Sequence, residues 1–211
     1  MGHGGRLLGT GVNPGFVMDT LPVALSAVCR EVRSVTVERI QDASARREPF
    51  QRKIGAGLDR SAFSQAFKDG SLGHVGLGES AALLAHELGL GRDQIRESLE
   101  MVKADRPLRW AGGTIEPGSA AGVRQIATVE FDGRTVARLI FQAAIGQAHP
   151  RDRIHLDADP PIELSIPGTI AGDHATVGIT LNSLGWLAYA APGLHTMTSI
   201  PLVRGRMPKP A

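Results

Sequence analysis

A chain of 211 residues with 42% hydrophobic but only 4% aromatic side chains has the length and apolar content of one packed domain, its core built by close backbone approach more than by large rings. The formal net charge is +2 and the sequence pI about 9.0, with no long single-sign block; the nearest approach to a nucleic-acid patch, Ala45–Lys53 with Arg46, Arg47, Arg52 and Lys53, reads as a solvated connection, so nucleic acid is not an expected partner. A single cysteine, Cys29, rules out an intrachain disulfide and fits a reducing cytoplasm; its apolar neighbours suggest a packing role. No apolar run approaches the length of a membrane span, and the first residues have no apolar stretch of the kind a signal peptide needs.

Residues 1–12 are Gly-rich with the adjacent pair Leu7 and Leu8 to bury, and read as the remnant of a strand. Asn13-Pro14 predicts a helix start, Asn capping the free N–H groups and Pro occupying the first position. Phe16, Val17, Leu21, Ala24, Leu25 and Val28 then recur at helical spacing, with Pro22 expected to kink the helix. Val32–Ile40 alternates, with Val35, Val37 and Arg39 on one side and Thr36, Glu38 and Ile40 on the other, the pattern of a strand. Ser61–Lys68 predicts a short helix, Glu79–Leu88 a second one ended by Gly89, and Gln94–Val102 a helix turning into a strand.

Beyond a turn at Glu116-Pro117-Gly118, the runs Gly122–Phe131 and Arg134–Gln142 are joined by Asp132-Gly133, a strong hairpin signal. Ile154–Leu156 and Ile162–Ile166 are further strands, divided by Pro160-Pro161, and Ala175–Ala190 is an apolar helix closed by Pro192-Gly193. Strands grouped by hairpins predict an α+β fold with a largely antiparallel or mixed sheet and helices packed on one face, not a doubly wound parallel sheet.

Few motifs carry chemistry. Gly9-Thr10-Gly11-Val12-Asn13-Pro14-Gly15 falls short of the dinucleotide fingerprint: its third Gly is one place late, and Pro14 removes a backbone donor. His86-Glu87 lacks the second histidine of a zinc motif, the other histidines are scattered, and no metal site is expected. Nothing around Ser183 forms a nucleophile elbow. His74, within Gly73-His74-Val75-Gly76-Leu77-Gly78-Glu79-Ser80, is evenly balanced between a surface loop and a pocket; its glycines permit a ligand to come close, while Glu79 fits a helix-capping role. Arg39 is either a snorkelling surface side chain or a buried group in a cleft suited to a polar or anionic substrate.

Gly9 to Asp19 resembles the segment that follows the nucleotide-binding half in 2,4-diaminopentanoate dehydrogenases, part of the dihydrodipicolinate reductase-like group that includes native amine dehydrogenases. The likeness continues through Arg39-Ile40-Gln41-Asp42, Lys53–Leu58, Gly73–Ser80, Pro117-Gly118, Ala121-Gly122 and Asn182, and closes at Ala191-Pro192-Gly193-Leu194-His195-Thr196-Met197. The resemblance implies two halves: a Rossmann domain holding NAD or NADP, and an α+β domain that builds the substrate pocket and the dimer interface. Residues 1–12 would be the remnant of the last strand of the first half, and 13–211 the substrate-binding and dimerisation domain. The glutamate that handles protons in the family lies upstream of the Asn-Pro-Gly-Phe block and has no counterpart here; the double-histidine signature of the lysine-biosynthesis reductases is also missing. By resemblance, Phe16, Arg39 and His74 line the substrate side and Asn13 lies beside the nicotinamide.

Two functions of different class follow. In the first, the chain is the C-terminal substrate domain of an NAD(P)-dependent oxidoreductase acting on the carbon–nitrogen centre of an amine or amino-acid-like molecule. In the second, it is a non-catalytic truncated domain that dimerises or binds a small ligand. Partners expected with the first are a homo-oligomeric copy and a separate Rossmann chain, and the cofactor is not expected to bind tightly to this chain alone.

Overall fold

Asp132 and Gly133 both take positive φ, 49° and 71°, as a two-residue turn of the primed type requires, and they close the long hairpin on which the sheet is built. The computed structural model describes residues 4–90, 95–205 and 207. The elements run β1 (Arg6–Leu8), α1 (Thr20–Ser26), β2 (Glu31–Asp42), α2 (Glu48–Lys53), α3 (Arg60–Lys68) and α4 (Leu77–Glu87). They continue with β3 (Ile95–Lys103), β4 (Leu108–Trp110), β5 (Gly113–Ile115), β6 (Ala120–Phe131), β7 (Arg134–Ala144), β8 (Arg151–Asp159) and β9 (Ile162–Pro167). The last are α5 (Gly172–Leu187) and β10 (Gly193–His195).

Six strands form one mixed sheet in the order β3-β6-β7-β2-β8-β9, in which β2 and β7 run parallel and every other pair is antiparallel. The α+β, mixed-sheet expectation therefore holds. Strand alternation sorts one face into rows. Val35 lies between Ala137 and Leu156, Val37 between Leu139 and Ile154, and Arg39 between Phe141 and Asp152. The first two rows are fully buried and apolar, with α4 packed over β3, β6 and β7 and α1 beside α4, β2 and β8. The opposite face carries ion pairs such as Arg151–Glu38 and Arg153–Glu163.

Several expectations change. No helix starts at Asn13-Pro14: Gly15 takes φ +122°, where an added Cβ would meet the Gly11 backbone at 2.6 Å. Residues 13–19 form turns, and the helix begins at Thr20, capped by Asp19. Pro22 thus falls in the first turn of α1, where its missing N–H costs no intrahelical bond, and the expected kink has no cause. The helix ends at Ser26, so Val28 lies beyond it and is exposed, and Cys29 is half-buried with its Sγ 3.4 Å from the Pro160 carbonyl. The segment read as helix turning into strand is strand from Ile95 onward; Gln94, like Met1–His3, lies outside the described residues. A short strand, β1, does form near the start, and it pairs in parallel with β10, as a unit separate from the six-stranded sheet.

Candidate functional site

The third row of the sheet is where apolar packing gives way to polar groups. Across four adjacent strands it reads Gln125, Phe141, Arg39, Asp152. Arg39 is buried, and its charge is compensated on every nitrogen: Nη1 donates to Asp152 Oδ2 at 2.6 Å and Nη2 to the Ile170 carbonyl at 2.7 Å. The Gln41 side-chain oxygen accepts from Nε at 3.1 Å and Nη2 at 2.7 Å in the amide orientation that satisfies both groups. Asp152 Oδ2 also accepts from the Ile170 N–H at 2.8 Å, so the pair pins the segment leading into α5. Burial lowers the Arg39 pKa and raises that of Asp152, each opposed by the attraction of the other.

His74 lies over this row. Its ring is tilted 31° to Phe141 with centroids 4.8 Å apart. The loop that carries it is held from below: the His74 N–H donates to Gln125 Oε1 at 2.9 Å, and Gln125 Nε2 donates to Glu97 Oε2 at 2.9 Å. Burial lowers the His74 pKa from its usual 6.5, with an opposing contribution from the Asn13 backbone and a further lowering by Lys53 and Arg39. The native state therefore binds fewer protons at this site than the unfolded chain between the lowered pKa and 6.5, and stability rises with pH through that window. The wild-type chain is expected to lose stability as pH falls below 6.5, with a slope of up to about 1.4 kcal/mol per pH unit from this one proton. Urea denaturation between pH 7 and 5 measures it. His74→Gln should remove that component of the slope, and an unchanged slope would assign the effect elsewhere.

Asn13 enters beside His74 because two loops are forced together. Gly76, the N-cap of α4 at φ +115°, packs so close to Pro14 that a Cβ there would lie 2.4 Å from its Cδ. Beneath them Asp19, with no exposed surface, accepts from Gly15 N–H at 2.8 Å, Ser80 Oγ at 2.7 Å and Thr20 N–H at 2.5 Å. Ser80 Oγ also lies 3.3 Å from Asn13 Oδ1, leaving Asn13 Nδ2 as the free end of the amide. Asn13 Nδ2 and His74 Nε2 are both buried and lack a hydrogen-bond partner among the described residues.

These groups meet in one cavity of about 130 Å³, lined by Asn13, Arg39, Gln41, His74, Phe141 and, from outside the sheet, Arg46 among others. Of the residues read from the sequence as the site, Asn13, Arg39 and His74 are thus brought together. Phe16 is not: it lines an adjoining, mainly apolar pocket of about 310 Å³ with Ile170, Ile179 and Asn182, and Val12 borders both spaces. The turn at 13–19 replaces the expected helix and directs Phe16 to the far side of Val12. Arg46 was assigned to a solvated connection, yet it stacks over Phe50 at 4.2 Å and reaches the cavity. Among the described residues no group of three His, Cys, Asp or Glu is placed to hold a metal, and no helix is long and apolar enough to cross a membrane.

The family model of the 2,4-diaminopentanoate dehydrogenase C-terminal domain matches residues 16–210. The chain belongs to that family. It is 27% identical over 212 residues to 2,4-diaminopentanoate dehydrogenase of Acetoanaerobium sticklandii, covering 97% of this chain and 60% of that protein. It is also 27% identical to amine dehydrogenase of Streptomyces virginiae, over 94% of this chain and 61% of that one. The solved amine dehydrogenase of Mycobacterium smegmatis superposes with a TM-score of 0.83 at 17% identity, over 96% of this chain and 61% of its own, a likeness of fold. The family domain thus spans about three fifths of the length of the relatives it matches.

The nicotinamide dinucleotide implied by the dehydrogenase names can be tested against the residues present. After β1 the chain enters the turns of residues 11–19 instead of a helix, and the first helix, α1, has seven residues with the Asp19 carboxylate already on its N-terminus. A negative side chain at that end opposes a pyrophosphate, which needs free N–H groups and the positive helix end. The segment that follows β1 therefore does not offer the free helix N-terminus that cradles the phosphates of a dinucleotide.

Proposed function

We propose that this chain is the substrate domain of an NAD(P)-dependent oxidoreductase acting at the carbon–nitrogen centre of a small amine or amino-acid-like molecule. The observation that carries the reading is the cavity itself: Asn13, Arg39 and His74, from three separate segments of a dehydrogenase-family domain, border one small space. Two of them supply buried polar atoms without partners, Asn13 Nδ2 and His74 Nε2, and such atoms are uncommon unless a ligand or water completes them. A neutral imidazole offers one acceptor and one donor, and the Asn13 amide offers a donor, which suits an amine or carbonyl group held against Phe141. The chain's part in the reaction is to orient that group and exclude water from it.

A second domain would hold the cofactor. In support, β1 pairs only with β10 among the described residues, and the paired Leu7 and Leu194 are 65% and 74% exposed; Tyr189 is 91% exposed, and Val177, Leu181 and Leu184 are exposed along α5. We take β1 as the boundary strand of a nucleotide-binding half, joined or separately made, and residues 13 onward as the substrate and self-association domain of a protein working in a reducing cytoplasm. The same apolar surface favours the other reading, a domain whose role is to associate or to bind a small ligand without catalysis.

Calorimetric titration separates the parts. The 211-residue chain is expected to bind NADH and NADPH no more tightly than about 1 mM, the range of weak unspecific contacts. Mixed with the nucleotide-binding half of the Acetoanaerobium sticklandii relative, it should oxidise NADH or NADPH when given a small ketone and ammonium, and His74→Ala should slow that reaction by roughly 100-fold. Micromolar binding of the dinucleotide to the chain alone would refute the division of labour. A complemented pair that His74→Ala leaves unchanged would refute the site.

A further inference from the structure

The cavity holds two guanidinium groups, and they differ in what they have left to offer. Every nitrogen of Arg39 already has a protein acceptor, so Arg39 is part of the framework. Arg46 is not so engaged. Its Nη2 lies 3.1 Å from Asp173 Oδ1, but its Nε is buried without a partner among the described residues, and its side chain is only 23% exposed. Phe50 supports the guanidinium from one side at 4.2 Å, which fixes the plane of its fork.

The sharing of carboxylates leaves Arg46 under-compensated. Asp152 is spent on Arg39, while Asp173 is divided between Arg46 at 3.1 Å and the exposed Arg47 at 3.7 Å. Both inner guanidinium groups converge on Gly172, where a Cβ would come within 3.5 Å of Arg46 Nη1 and 3.8 Å of Arg39 Nη2. Gly172 opens α5, a 16-residue helix whose N-cap, Ala171, has no capping side chain; the Asp173 carboxylate in its first turn offsets the positive end, so the pull on an anion rests on Arg46 itself.

Resting on the reading of this cavity as the substrate site, the geometry points to Arg46 as its specificity-determining residue, selecting substrates that carry a carboxylate over simple amines. The carboxylate lies in the fork of Arg46 beside Gly172, its partner Asp173 remaining at the half-exposed rim with Arg47. Asn13 and His74 then face the other end of a short molecule, where the amine or carbonyl group sits.

NMR titration of the 211-residue chain tests this with three probes of matched length: pentanoate, pentan-2-one and pentan-2-amine. Pentanoate is expected to shift the His74 ring resonances at lower concentration than either of the others. Arg46→Gln should weaken pentanoate about tenfold while leaving pentan-2-one unchanged. Arg46→Lys should keep part of the preference, and Phe50→Leu, which only frees the guanidinium, should weaken pentanoate by roughly threefold. Pentanoate binding unaffected by Arg46→Gln, or a wild-type preference for pentan-2-amine, would overturn the assignment while leaving the cavity reading intact. Failure of all three probes to perturb His74 would overturn both.

Discussion

Arg39→Met is expected to destabilise the domain by about 3–5 kcal/mol, because it leaves the Asp152 carboxylate buried without its counter-charge. Both side chains are almost wholly removed from solvent, 3% and 1% exposed, so water cannot replace the lost partner. For a chain of this length the loss corresponds to a fall in melting temperature of roughly 6–20 °C. Two controls separate this cause from a simple packing defect. The deficit should shrink as pH falls, since burial already raises the Asp152 pKa and a protonated carboxyl no longer carries an uncompensated charge. Replacing both partners, Arg39→Met with Asp152→Leu, should recover much of the stability, because a well-packed apolar pair carries no desolvation penalty. A single substitution that costs no more than a surface change would mean that the pair is not the keystone of the third row.

Asp19→Ala should cost about 3 kcal/mol and should also disorganise the site without touching it. The carboxylate is at once the cap of α1 and the acceptor for two buried donors, Gly15 N–H and Ser80 Oγ. Losing a cap costs about 1 kcal/mol, and each buried donor left without an acceptor about 1–3 more, with partial overlap. Asp19→Asn should fall between, since one oxygen can serve only one of the two groups of donors. Chemical denaturation gives the stability. Loss of the contact between the Asn13 segment and the His74 ring, followed by NMR at a temperature where the variant remains folded, gives the local effect. If that contact persists in Asp19→Ala, the loop is held by something other than this network.

Much of the sheet was legible because its signals are local. Asp132-Gly133 specifies its turn through the backbone conformations those two residues tolerate, and alternation puts Arg39 on the face of Val35 and Val37, although it leaves open whether the guanidinium is buried there. The glycines around His74 suggest room for a ligand; at Gly76 that room is taken by Pro14 of the chain itself. The rest of the site depends on register between distant strands. Phe141, Gln125 and Asp152 join Arg39 because three separate pairings align them, and no single strand records that. Arg46 stood in a basic stretch whose composition says solvent, and only the stacking on Phe50 turns it inward. Asn13-Pro14 carried a valid helix-start signal that was overridden one residue later by the positive φ of Gly15. The helical reading of Gln94–Val102 failed on an edge strand, β3, whose single neighbour leaves it largely exposed and weakly alternating.

The position of β2 in the sheet also has a kinetic meaning. Its neighbours are β7 and β8, with Val35 set against Ala137 and Leu156, and the Arg39–Asp152 bond spans 113 residues of sequence. The β6–β7 hairpin closes over two residues and can form early, but the strand at the centre must wait for chain made a hundred residues later. A parallel pairing of that span is slow to find. Until it forms, the alternating apolar face of β2 has nothing to lie against, so the segment that carries Arg39 is also the one most exposed to mispairing during synthesis. The binding cavity is correspondingly among the last features to be completed, since one of its walls is the row that this late pairing creates.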